Sequence, residues 1–186
     1  FVSGLPDDQD AAAIVRAVVA LRPRCVRVNL RRDVWRGLDD GAPHGRLGLG
    51  LLGTYDALLQ RYLDAGIAPY LLVSGEAVGL PPEALRGGDG LERYVSAFVA
   101  AVDHFKDRVR VFESVNEPNN WVAPSEPALD PAAFARLLAR VYRAVRGAHR
   151  GDPCWQVTLV SGALFAFRQD GGIENDASSY LDQTYA

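Results

Sequence analysis

Methionine is absent from these 186 residues, cysteine occurs twice and histidine three times. Translation starts on methionine, yet residue 1 is Phe1, so the expectation is a processed, trimmed or partial chain with its original N-terminus out of view. Two cysteines, Cys25 and Cys154, support neither a disulfide framework nor a zinc site. Each stands just before an apolar run, where a buried thiol is expected. His44, His104 and His149 form no metal-binding constellation, and nothing points to a cofactor. A basic excess is missing as well: the formal net charge is -3, which leaves no electrostatic footprint for nucleic acid. No apolar run reaches bilayer-spanning length and no basic-then-apolar leader opens the chain, so no membrane partner is expected.

What is present is the mix of a single soluble globular domain over residues 1–186, with 48% hydrophobic and 23% charged residues. The apolar pattern alternates between two periods. Helical spacing covers 11–21, 54–66, 91–105, 130–147 and 178–186; β-branched runs cover 25–30, 67–75, 109–117 and 155–166. Thr54 and Asp130 are the expected N-caps, Pro131 suits a first helical turn, and Gly66 and Gly147 suit helix ends. "FVSG" (1–4) has the look of the tail of an earlier strand, which makes five. Trp155, at the start of a run, is expected in the core.

Strands that recur with a helix between them imply a parallel sheet with helical crossovers. The long irregular pieces, 32–53, 75–90, 118–129 and 166–177, all follow strands, on the face where α/β proteins build their sites. Periodicity leaves two closures open: a doubly wound sheet, or a (β/α)8 barrel cut short. "GLGLLG" (48–53) matches a dinucleotide-binding fingerprint, but no strand leads into it, so it reads as a flexible loop.

One stretch carries chemistry. In "VFESVNEPNNW" (111–121) a buried strand delivers Asn116 and Glu117 to its tip and stops at Pro118. "FESVNEPNNW" resembles the acid/base strand of retaining glycoside hydrolases of clan A, closest in pattern to family 39, the β-xylosidase and α-iduronidase group. The cellulase-type family 5 shares the Asn-Glu-Pro core. Ser114 and Val115 depart from the bulkier pair usual there. The resemblance implies an α/β fold, the N-terminal part of a (β/α)8 TIM barrel with strands one to five and their helices. It also implies hydrolysis of β-linked carbohydrate by two carboxylates, with Glu117 as general acid and then base, and Asn116 bonding the sugar 2-OH. Alternation sends neighbouring side chains to opposite faces, so bringing both to one site requires a bulge or turn at the strand end.

In "VRVNLRRDVW" Arg27 and Asn29 share one face, and an inward arginine needs an anionic partner. In the clan a matching arginine lies against the nucleophile. Trp35 and Trp121, just beyond strands two and four, suit stacking on sugar rings. The clan's nucleophile is a Glu at the tip of strand seven, which these residues do not reach. Among local carboxylates, Asp33, Glu76, Asp170 and Glu174, the best placed is Glu76 after strand three; it joins the groove residues. The segment alone is expected to lack appreciable glycosidase activity. The rival reading is a non-catalytic carbohydrate-binding or scaffolding protein, and a third is an unrelated doubly wound protein. Family analogy favours secretion; the oligomeric state is open.

Overall fold

Val28 and Leu30 alternate with Arg27 and Asn29, so one face of this run is apolar and the other polar. In the computed structural model the run is strand β1 (Cys25–Leu30). The structure describes residues 8–30, 49–123, 126–127, 129–152, 156–165, 167–169, 172–175 and 177–186, so the expected strand at 1–4 lies outside the described residues. Helix α1 (Asp8–Leu21) precedes β1 and α2 (Leu49–Asp64) follows it. Then come β2 (Ala68–Val73), two 3-10 turns (Gly75–Val78 and Pro82–Arg86), α3 (Gly88–Phe105) and β3 (Val111–Ser114). A short hairpin, β4 (Trp121–Ala123) and β5 (Glu126–Pro127), leads to α4 (Pro131–Ala148) and β6 (Thr158–Val160). A second hairpin, β7 (Phe167–Gln169) and β8 (Gly172–Asn175), precedes α5 (Ala177–Tyr185).

The four longer-range strands are parallel, in the order β1-β2-β3-β6, which is also their order along the chain. A doubly wound sheet reverses direction at a switch point; among the described residues this one does not. The sheet is therefore wound in one direction, as in a (β/α)8 barrel, and the chain forms part of such a barrel. One sheet face carries Val28, Leu30, Leu71, Val73 and Phe112 into a core shared with the helices. From α3 come Tyr94, Phe98, Ala101, Val102 and Phe105, and from α4 Phe134, Leu137, Val141 and Val145, the i, i+3, i+4 stripes read in the sequence. Burying a phenylalanine of this kind contributes roughly 2–3 kcal/mol. The other face presents Arg27, Asn29, Tyr70, Leu72 and Glu113, with Leu72 fully buried between Asn29 and Glu113 in register.

Several sequence expectations shift. Residues 49–53 are helical rather than a loop, and Thr54 lies inside α2 rather than capping it. Leu51, Leu52, Tyr55, Leu58, Leu59 and Tyr62 continue a single helical spacing, and that spacing outweighs the penalty of about 1 kcal/mol for each interior glycine. Asp130 does cap α4, its carboxylate accepting from the Ala133 N–H at 2.8 Å, while the helix runs past Gly147 to Ala148. Gly66 closes the turn after α2 with φ of 74°. Among the described residues of the expected strand at 155–166, Thr158–Val160 form strand, and the loops at 118–129 and 166–177 contain the two hairpins. Cys25 is exposed, not buried, because it starts β1 ahead of the helix-covered stretch. Cys154 and Trp155 lie outside the described residues.

Candidate active site

Strand β3 ends at Ser114, and the three residues that follow do not continue its pleat. Val115 has φ of 50° and Glu117 φ of 48°, both in the left-handed region that side chains other than glycine rarely adopt. Asn116 stands between them. This is the turn that sequence alternation requires if Asn116 and Glu117 are to serve one site. Such a backbone persists only where its surroundings hold it. Here the Glu117 N–H donates to the Ala163 carbonyl at 2.8 Å, and the Asn120 N–H donates back to the Glu117 carbonyl at 2.9 Å. Pro118 is buried, and its carbonyl accepts from the Leu129 N–H at 2.8 Å.

The segment 161–165 after β6 comes close to this turn because Gly162 has no side chain. A Cβ there would lie 1.8 Å from the Val115 carbonyl oxygen, an impossible contact. Asn119, buried, fastens the same segment from the other side. Its Nδ2 donates to the Phe165 carbonyl at 2.7 Å, and its Oδ1 accepts from the Phe165 N–H at 2.8 Å. Asn120 Nδ2 donates to Glu117 Oε2 at 3.1 Å, so the carboxylate of Glu117 is oriented by its own turn.

Arg27 points to the polar sheet face and pairs with Glu113 through a two-pronged contact. Nε donates to Oε2 and Nη2 to Oε1, each at 2.7 Å, with the side chains only 16% and 4% exposed. Arg27 Nη2 also donates to Asn116 Oδ1 at 2.8 Å. The bond to the Glu113 carboxylate, against the opposing effect of burial, holds the guanidinium above its ordinary pKa, and the charge of Glu117 acts the same way. Burial, with the Glu113 charge, also lifts the phenol of Tyr70 on the neighbouring strand. Asn29 accepts a long bond, 3.4 Å, from Ser74 Oγ, and its backbone carbonyl accepts from Tyr55 Oη at 2.9 Å.

The resemblance implies that Arg27 lies against a nucleophile beyond these residues. Within residues 1–186 the carboxylate against Arg27 is Glu113, in the same motif. The signal was available: Glu113 is two residues before Val115 on a strand beside β2, and the register places it level with Leu72 and Asn29 on the arginine's face. Asn116, Glu117 and Arg27 are thus gathered at one end of the sheet, with Asn29 one pleat beyond Arg27 on the same face. Glu76 lies in the turn after β2, and Trp121, which begins β4, follows the end of β3; their side chains lie outside the described residues. Trp35, Asp33, His44 and Asp170 fall outside the described residues altogether, and so does the side chain of Glu174. His104 binds Asp56 on α2 at 2.9 Å. Among the described residues no group of three or more potential metal ligands converges. An apolar cavity of about 360 Å³, lined by Phe98, Ser114, Leu138, Leu159 and Thr184, belongs to the helix side of the sheet and takes in none of the sequence-predicted site residues.

No protein-family model matches the chain, and no curated protein sequence does. Solved structures match it in shape. A GH5-4 broad-specificity endoglucanase from Clostridium acetobutylicum superposes with a TM-score of 0.61 at 9% identity, over 92% of this chain and 50% of that one. The virulence factor SghA from Agrobacterium tumefaciens gives 0.58 at 16% identity, over 81% and 35%. A family 39 glycoside hydrolase from Bacteroides cellulosilyticus gives 0.50 at 20%, over 86% and 30%. The chain therefore spans between 30% and 50% of the length of these structures. Both families named from the motif are among them. At such identities the likeness is one of fold: the chain folds as part of a (β/α)8 barrel, of the kind that glycoside hydrolases of families 5 and 39 use.

Proposed function

We propose that these residues form the acid/base side of a retaining glycoside hydrolase that acts on β-linked carbohydrate. Glu117 donates a proton to the leaving glycosidic oxygen and then, as carboxylate, takes one from the attacking water. Asn116 holds the sugar 2-OH, a bond that strengthens as the anomeric carbon becomes cationic. Arg27 and Asn29 line the floor of the groove, and Trp35, Trp121 and Glu76 extend it as sugar contacts. The nucleophile, about 5–5.5 Å from Glu117 in a retaining site, is supplied from outside residues 1–186.

The observation that carries this reading is a single one. Asn116 and Glu117 stand side by side at the C-terminal end of a barrel-type strand, where (β/α)8 enzymes place their catalytic groups, and Asn116 is held there by a half-buried, charge-paired arginine. The test is hydrolysis of an aryl β-glycoside by the protein that contains this segment. Glu117→Gln is expected to lower kcat roughly 100- to 10,000-fold while leaving binding in place. Turnover unaffected by that substitution contradicts the proposal. Residues 1–186 alone are expected to give no appreciable turnover.

A further inference from the structure

No hydrogen bond joins Glu113 directly to Asn116 or Glu117, yet bonded chains lead from it to both. Its carboxylate accepts three donors: Arg27 Nε at 2.7 Å, Arg27 Nη2 at 2.7 Å and the Ala163 N–H at 2.9 Å. From Arg27 the first chain continues to Asn116 Oδ1 at 2.8 Å. An arginine N–H can face only the oxygen of an amide, so this contact decides which way the Asn116 amide points and turns Nδ2 away from the guanidinium. From Ala163 the second chain continues through the same residue's carbonyl, which accepts the Glu117 N–H at 2.8 Å. That bond holds Glu117 at its left-handed φ of 48°.

We infer that Glu113 is a positioning residue, the common anchor that sets the amide of Asn116 through Arg27 and the backbone of Glu117 through Ala163. The inference rests on the reading of Asn116 and Glu117 as the working pair, and it adds what fixes them relative to each other. Only a carboxylate serves at this place. It has lone pairs for three donors and two oxygens matched to the fork of the guanidinium. A glutamine has one acceptor oxygen, and its amide would turn an N–H toward Arg27 or toward Ala163. The site is built for this purpose: the Glu113 side chain is 4% exposed, and Gly162 lets the 161–165 segment reach it.

The experiment is amide hydrogen exchange and side-chain NMR on the protein, comparing wild type with Glu113→Gln. A second variant, R27Q/E113Q, removes both charges and so leaves no buried charge unpaired. In both variants the Glu117 amide is expected to lose protection by about tenfold or more, the equivalent of one hydrogen bond. The Asn116 side-chain amide resonances are expected to shift, while core amides such as those of Leu71 and Phe112 keep their protection. Unchanged Glu117 protection and Asn116 resonances overturn the inference, and so does an equal loss across the whole sheet, which would mark Glu113 as a general stabiliser. These readouts do not depend on turnover. A protein without glycosidase activity that still shows the local losses faults the proposed function alone.

Discussion

Val115 is β-branched, buried and left-handed, a combination that costs roughly 1–2 kcal/mol against an ordinary strand conformation. Glu117 repeats the strain two residues later. Both are retained because the backbone around them is bonded on two sides, from the 161–165 segment and from the turn at 118–120. Gly162 is the residue on which this contact depends most directly. Gly162→Ala is expected to lower stability by about 2–3 kcal/mol, since the added methyl must push two backbones apart. Denaturant unfolding measures it, and a change below about 0.5 kcal/mol would show that the segment moves aside freely. The residues of the motif were plain in the sequence, and so was the need for a turn between Asn116 and Glu117. The role of Glu113 was not: a charged residue in a strand shows its face by alternation, but its partner appears only when the register between strands is known.

At the scale of elements, tyrosine hydroxyls tie helices and loops to the strand ends. Tyr94 Oη on α3 donates to the Val73 carbonyl at the end of β2, and Tyr180 Oη on α5 donates to the Leu129 carbonyl, both at 2.7 Å. Burial raises both phenols well above the ordinary value of 10.0, aided at Tyr180 by the charge of Asp130. The sign follows from proton counts. Above about pH 10 the unfolded chain releases these protons while the folded chain keeps them, so stability is complete below that pH and falls as pH rises. Thermal unfolding between pH 8 and 11 is expected to show this decline, with a smaller slope in Tyr94→Phe. Equal slopes would contradict it. Long helices such as α3 and α4 were legible because their stripes extend over several turns. The bounds of β6 within the strand expected at 155–166, and the two hairpins, were not, since strands of two to four residues carry too little periodicity to separate them from loops. The start of α2 departs from the expectation because a leucine and tyrosine spacing that runs unbroken across it outweighs the local glycine propensity.

For the whole molecule, the decisive feature is the order of the strands. Alternating periods limited the fold to two closures, and no local signal in the chain distinguishes winding in one direction from winding in both. The uninterrupted order β1-β2-β3-β6 selects the barrel, and the proposed site lies on its C-terminal rim, where barrels of this kind build theirs. The sheet then gains a division of labour: an apolar face against the helices, and a polar face on which Arg27 and Glu113 neutralise each other beside Asn116 and Glu117. The central claim is that Glu117 is the acid/base of a retaining reaction. The most direct measurement uses the protein that contains this segment, with Glu117→Ala, an aryl β-glycoside bearing a good leaving group, and added azide. In a retaining site the glycosyl-enzyme intermediate forms without acid help, and azide attacks it without base help. The account predicts that azide restores turnover and that the product is a glycosyl azide of β configuration. Azide without effect on Glu117→Ala, or an azide product of inverted configuration, would contradict it.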